Sequence, residues 1–331
     1  RDLRMSRGLG DVYKRQILII YFAVLIGIGL YCRKHATDVN GFVLGGRSVG
    51  PWLTAFAYGT SYFSAVVFVG YAGQFGWKYG IAATWAGIGN AIIGSLLAWV
   101  VLGRRTRIMS QHLDSATMPQ YFGKRFGSNP LKIGASVIIF IFLIPYTASL
   151  YNGLSRLFGM AFNIDYSVCI IIMATLTAIY VIAGGYMATA INDFIQGIIM
   201  LFGIVAVIAA VIHSKGGFMS ALQGLANVSD PAVSDTPGIF ASFFGPDPFN
   251  LLCVVILTSL GTWGLPQMVQ KFYAIDNEAS IQKGTVISTI FALIVSGGCY
   301  FLGGFGRLFS DQIDVCLLYT SPSPRDMRRS R

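Results

Sequence analysis

The chain has 331 residues, of which 54% are hydrophobic and 11% charged, and its mean hydropathy is +0.64. Soluble domains carry about 25% charged residues, so this composition excludes a soluble enzyme or binding module and describes a protein embedded in a lipid bilayer. The net charge of +10 does not indicate a nucleic-acid partner, because the basic residues gather at the two ends and in short connections between apolar runs.

The apolar runs fall at about 17–32, 51–75, 79–102, 131–160, 166–184, 187–213, 249–270 and 285–309. A transmembrane helix needs about 20 apolar residues, whereas barrel strands alternate over about ten. The runs here are long and do not alternate, which predicts an all-α polytopic membrane protein with about eight spans.

Residues 1–16 and 310–331 look non-native and resemble translated adapter read-through, so both are set aside from the fold, as processing scars are. The expected transmembrane domain is 17–309, in a gene expected to stop inside a longer protein. Five cysteines show no paired CxxC spacing, and the three histidines His35, His112 and His213 have no clustered second ligand, so no zinc or disulfide framework is expected.

Lys and Arg favour cytoplasmic loops. Arg33, Lys34 and Arg47 follow the first span; Arg104, Arg105, Arg107, Lys124, Arg125 and Lys132 follow the third; Lys271 and Lys283 follow the seventh. The alternate loops hold only Lys78, Arg156 and Lys215. This bias predicts an N-terminus outside. A short interfacial helix is expected within 111–125, starting near Asp114 or Ser115. The connection 214–248, rich in Gly, Ser, Asp and Pro, reads as a solvated loop.

The second run contains Ala55-Phe56-Ala57-Tyr58-Gly59-Thr60-Ser61-Tyr62-Phe63-Ser64-Ala65, small and polar at membrane depth. Irregular backbone there survives only where it lines a cavity or is buried in protein. A close-packed interface of small residues is the competing account.

A similar interruption, Thr258-Ser259-Leu260-Gly261-Thr262-Trp263-Gly264-Leu265-Pro266-Gln267, lies in the seventh run, where proline and two glycines weaken a helix. Breaks five spans apart match two five-helix inverted repeats whose unwound segments meet near the midplane. Pro145 is expected to interrupt the fourth helix, and Tyr146, Thr147, Ser149 and Asn152 would give it a polar face.

Asp193 is the single acid inside an apolar run. An intramembrane carboxylate costs several kcal/mol unless it meets a cation, a donor or water, and so marks function; the alternative is an acid at the positive end of its own helix.

These residues resemble the sodium:solute symporters. The resemblance rests on Leu44-Gly45-Gly46-Arg47-Ser48-Val49-Gly50-Pro51, on Gly184-Gly185 followed by Asp193 and Gln196, and on Trp263-Gly264-Leu265-Pro266-Gln267 followed by Lys271-Phe272. It covers about 17–309, nearest the pantothenate and proline branches. It implies an extra first helix before ten core helices in a five-plus-five inverted repeat, of which this chain would hold the first repeat and the start of the second.

The family's sodium site, carried over, falls on the carbonyls of Thr60 and Phe63, with its other half on a helix beyond Arg307. A further sodium site in some members matches Ser64 and Asp193. Gly59, Tyr146, Thr262, Trp263 and Gln267 are the substrate candidates.

Tyr62 stands where proline transporters place an acid, a departure from that branch. The implied activity is sodium-coupled symport of a small organic solute across the plasma membrane by alternating access, with sodium as coupling ion and no cofactor. The alternative is a transmembrane sensor module of a transporter-like signalling protein.

Overall fold

The computed structural model describes residues 2–63, 66–162, 165–231 and 233–312. The α-helices are α1 Asp2–Cys32, α2 Val39–Leu44, α3 Pro51–Tyr62, α4 Ala72–Tyr79, α5 Thr84–Gly89, α6 Arg104–His112, α7 Met118–Phe126, α8 Asn129–Phe162, α9 Tyr166–Ser214, α10 Phe218–Ala226, α11 Pro248–Leu260, α12 Pro266–Ala274, α13 Glu278–Ala292 and α14 Gly298–Gly304. π-helical turns at Val66–Tyr71, Asn90–Leu97, Trp99–Gly103 and Leu293–Gly297 continue several of these spans.

Among the described residues, Ala72–His112, Asn129–Ser155, Tyr166–Ser214 and Glu278–Gly304 are long and apolar enough to cross a membrane, with shorter apolar helices at Gln16–Cys32 and Pro248–Leu260. The chain is an all-α, multi-pass membrane protein. Its exposed apolar side chains, Phe140, Phe142 and Ile144 of α8 among them, suit contact with hydrocarbon.

The second span is divided as its composition predicts, although the division comes late in the polar stretch. Gly59, Thr60 and Ser61 remain helical; α3 ends at Tyr62, Phe63 is a bend, and helical structure resumes at Val66. The seventh span divides as expected: α11 stops at Leu260, residues 261–264 form turns, and α12 opens with Pro266 as its first residue. Proline is well placed there because the first helical N–H has no intrahelical acceptor to lose.

The fourth span corrects the sequence reading, since α8 runs unbroken through Pro145. A single proline removes one backbone bond, and long membrane helices tolerate that loss when local adjustments re-satisfy the carbonyl. The fifth and sixth runs form two helical limbs, grouped here as α9, that join at Gly185, whose φ of 56° and ψ of −148° are non-helical.

The chain forms two compact units. The first comprises 1–62, 96–199 and 262–288; the second comprises 63–95, 200–261 and 289–331. In the first unit, Leu44, Val49, Tyr186, Val269 and Tyr273 share an apolar core. The bridge that fastens α12 is polar. Val49 N–H donates to the Ala274 carbonyl at 3.3 Å and Asp276 N–H to the Val49 carbonyl at 3.1 Å.

Two guanidinium groups complete the fastening. Arg47 donates to the carbonyls of Tyr273, Ser110 and Ser115, and Arg107 to those of Ile275 and Asp276. Cations at a helix C-terminus satisfy orphan carbonyls and oppose the negative dipole end. Burial pulls the Arg47 guanidinium below its ordinary pKa, against the field of Asp114. It remains charged because arginine does not deprotonate in proteins.

The short helix expected within 111–125 is present as α7, at Met118–Phe126. Its cap is Thr117 rather than Asp114 or Ser115: the Thr117 hydroxyl accepts from Gln120 N–H, and the Gln120 side chain accepts in return from Ala116 N–H. This reciprocal pairing resembles a capping box.

In the second unit, glycines let backbones approach. A Cβ at Gly76 would overlap the carbonyl carbon of Gly303, and one at Gly303 would overlap the Ala72 carbonyl oxygen. Buried Asn90 accepts from the hydroxyls of Thr258 at 3.1 Å and Ser259 at 3.0 Å, tying the third span to α11.

The connection 214–248 is folded rather than merely solvated. It carries α10, and Ala221, Leu225 and Phe240 form a core with Phe305. Arg307 lies 3.8 Å from the Phe240 ring and pairs with Asp230 at 3.0 Å. Scattered apolar residues in a Gly- and Ser-rich stretch supply that core, and composition alone conceals them.

Candidate functional site in the first unit

The kink at Gly185 starts the second limb of α9, and Asp193 lies two turns along it. Only glycine suits this backbone conformation, and a Cβ there would lie 2.7 Å from the Phe42 carbonyl oxygen. Gly184 is equally confined, with Gly29 O at 2.7 Å from its would-be Cβ. The paired glycines therefore set the path that delivers Asp193.

The Asp193 carboxylate faces α3 and α12. Thr60 lies beside the carboxylate, and its hydroxyl donates to the Phe56 carbonyl at 2.9 Å. With that proton committed to the backbone, the hydroxyl oxygen keeps lone pairs free for a cation. Phe56 packs on Phe194 at 4.8 Å between ring centroids, which fixes α3 against the limb bearing Asp193.

Lys271 completes the cluster. Its Nζ lies 3.7 Å from Asp193 Oδ2, with 8% of the lysine and 22% of the aspartate side chain exposed. The ammonium also lies 5.0 Å from the centroid of the Tyr186 ring, within cation–π range. The sequence places Lys271 among loop cations; the structure buries it on α12 beside the one intramembrane acid.

A second signal missed in the sequence is the set of uncommitted polar groups nearby. The Tyr186 hydroxyl and both polar atoms of the Gln267 amide are buried without a hydrogen-bond partner, as are those of Asn192 next to Asp193. Such groups are rare in folded proteins and call for an explanation when they occur.

The sequence-derived candidates do not all converge. Thr60 and Asp193 meet. Gly59 is buried within α3, one residue before Thr60. Thr262 and Trp263 lie in the turns between α11 and α12, and Gln267 in the first turn of α12. Phe63 is buried at the bend and belongs to the second unit. Tyr146 is half-buried on α8, where its carbonyl accepts from the Ser149 hydroxyl. Ser64 lies outside the described residues.

Comparison with known proteins agrees with this architecture. The osmoregulated proline transporter OpuE of Bacillus subtilis (strain 168) is 29% identical over 301 residues, which cover 90% of this chain and 59% of that protein. A sodium/proline symporter of Staphylococcus aureus (strain JH9) is 32% identical over 294 residues, covering 84% of this chain and 53% of that protein. The chain thus spans little more than half the length of these relatives.

Among solved structures, the substrate-bound outward-open state of a Na+-coupled sialic acid symporter superposes with a TM-score of 0.71 at 17% identity, over 93% of this chain and 62% of that one. That likeness establishes the transporter fold. The sequence pattern of the family matches residues 42–314, and the chain belongs to the sodium:solute symporter family.

Proposed function

We propose that this chain forms part of a secondary active transporter that uses a sodium gradient to accumulate a small organic solute, and that Asp193 and Thr60 contribute to its cation site. The observation that carries the reading is the meeting of an intramembrane carboxylate with a hydroxyl on the helix that ends at the Phe63 bend. Sodium is a hard cation that takes oxygen ligands, and this pair offers both a charge and a neutral oxygen. The Phe63 carbonyl and the Ser64 hydroxyl are the further ligands suggested by the family pattern.

The proposed solute site comprises Gly59, Thr262, Trp263 and Gln267, with Tyr146 a more distant candidate. Unwound segments in transporters expose carbonyls and helix ends to bound solutes. Two of the similar proteins are a proline transporter and a sodium/proline symporter, which makes proline the first solute to test. Tyr62, buried where an acid stands in proline transporters, argues for a related solute of different charge demand. The proposed setting is the plasma membrane with the N-terminus outside, from the lysine and arginine bias.

The test is uptake of radiolabelled proline and other small amino acids and carboxylates into liposomes holding a full-length chain with this sequence. An inward sodium gradient should drive accumulation, and choline should not replace sodium. Asp193→Asn should raise the half-saturating sodium concentration at least about tenfold, equivalent to about 1.4 kcal/mol of lost cation binding. Unaltered sodium activation in that variant would remove Asp193 from the site.

A further inference from the structure

Asp193 already has a cation beside it, and that cation belongs to the protein. Lys271 Nζ stands 3.7 Å from Asp193 Oδ2, longer than a hydrogen bond and still an ion pair. An ammonium has three protons to donate. Close by, the Tyr186 hydroxyl and the Gln267 amide remain buried without partners. Gln267 precedes Lys271 by one helical turn and so shares its face of α12. Tyr186, two turns before Asp193, presents its ring to the ammonium. A buried pair kept only for stability would have its remaining donors and acceptors satisfied, because desolvating two charges otherwise outweighs their attraction. Here the pair is loose and its polar surroundings are unspent.

We propose that Lys271 is an internal competitor for the cation site: its ammonium neutralises Asp193 when sodium is absent and withdraws when sodium binds. The inference rests on the sodium-symport reading above. One carboxylate balances one monovalent charge, and sodium and ammonium held within a few ångströms of each other in a poorly hydrated site repel.

Lys271 also lies on α12, whose first residue follows directly on the turns bearing Thr262 and Trp263. The far end of α12 is fastened at its carbonyls by Arg47 and Arg107. Release of the lysine therefore frees the end of α12 nearer the break, and gives sodium a route to the proposed solute residues. Solute binding must in turn tighten sodium binding by the same factor.

The test is 22Na+ binding to the purified full-length protein, with two variants chosen to move the result in opposite directions. Lys271→Met keeps length and apolar bulk while removing the charge, and should lower the half-saturating sodium concentration about tenfold, within the usual range of coupling between sites. Lys271→Arg keeps the charge and can hold a carboxylate at two points, so it should raise that concentration. A half-saturation that Lys271→Met leaves unchanged or raises overturns the proposal. If the methionine variant does not reach the membrane, an unchanged value in the arginine variant overturns it equally. Failure of the wild-type protein to bind 22Na+ would overturn the sodium reading as well, which distinguishes the two failures.

Discussion

A carboxylate inside a membrane protein is defined by its neighbours, and at Asp193 they are Thr60 from α3 and Lys271 from α12. The residue that makes this meeting possible is Gly185. Its φ of 56° and ψ of −148° lie where L side chains are strained, and the Phe42 carbonyl leaves no room for a Cβ. Gly185→Ala should destabilise the protein by about 1–3 kcal/mol, the usual cost of such backbone strain. The check is the thermal unfolding midpoint in detergent. A midpoint equal to that of the parent would mean that the kink can relax without penalty.

Among the elements, the decisive feature is the interruption between α11 and α12. Gly261 and Gly264 lower helix propensity by about 1 kcal/mol each relative to alanine, and Pro266 cannot donate the hydrogen bond that would carry the helix through. Pro266→Ala restores that donor. It should let the helix extend backward across the turns and reduce solute uptake at least about tenfold, a barrier change of about 1.4 kcal/mol, while the amount of protein in the membrane is kept. Parallel measurement of uptake and membrane abundance decides the matter, and full uptake would show that the turns do not depend on the proline. Pro145 is the contrasting case: α8 runs through it, with no glycine pair beside it to compound its effect.

For the whole molecule, the distribution of lysine and arginine makes a topological prediction. With the five native cysteines replaced by serine, Asp235→Cys in the connection 214–248 should react with an impermeant maleimide added to intact cells. Asn129→Cys, at the start of α8, should react only after permeabilisation. The reverse pattern would invert the proposed orientation, although Lys271 shows that not every cation in the count lies in water. Its charge belongs to the Asp193 cluster, and the loop bias toward the same side persists through Arg104, Arg105 and Lys124.

The sequence by itself determined the all-α membrane fold class and the interruptions of the second and seventh runs. Those properties follow from local physics: apolar length matches bilayer thickness, and glycine and proline act on the backbone where they stand. It also singled out Asp193, because one acid in an apolar run is conspicuous whatever surrounds it.

Only the tertiary structure decided which groups meet that acid. Lys271 is 78 residues away in sequence, in a segment that reads as the end of a span and the start of a loop. Its burial depends on how α12 is fastened by Arg47, Arg107 and the Val49 bridge. The partnerless amides and hydroxyl near the pair are likewise invisible in a sequence, since whether a polar atom is satisfied depends on contacts between distant segments.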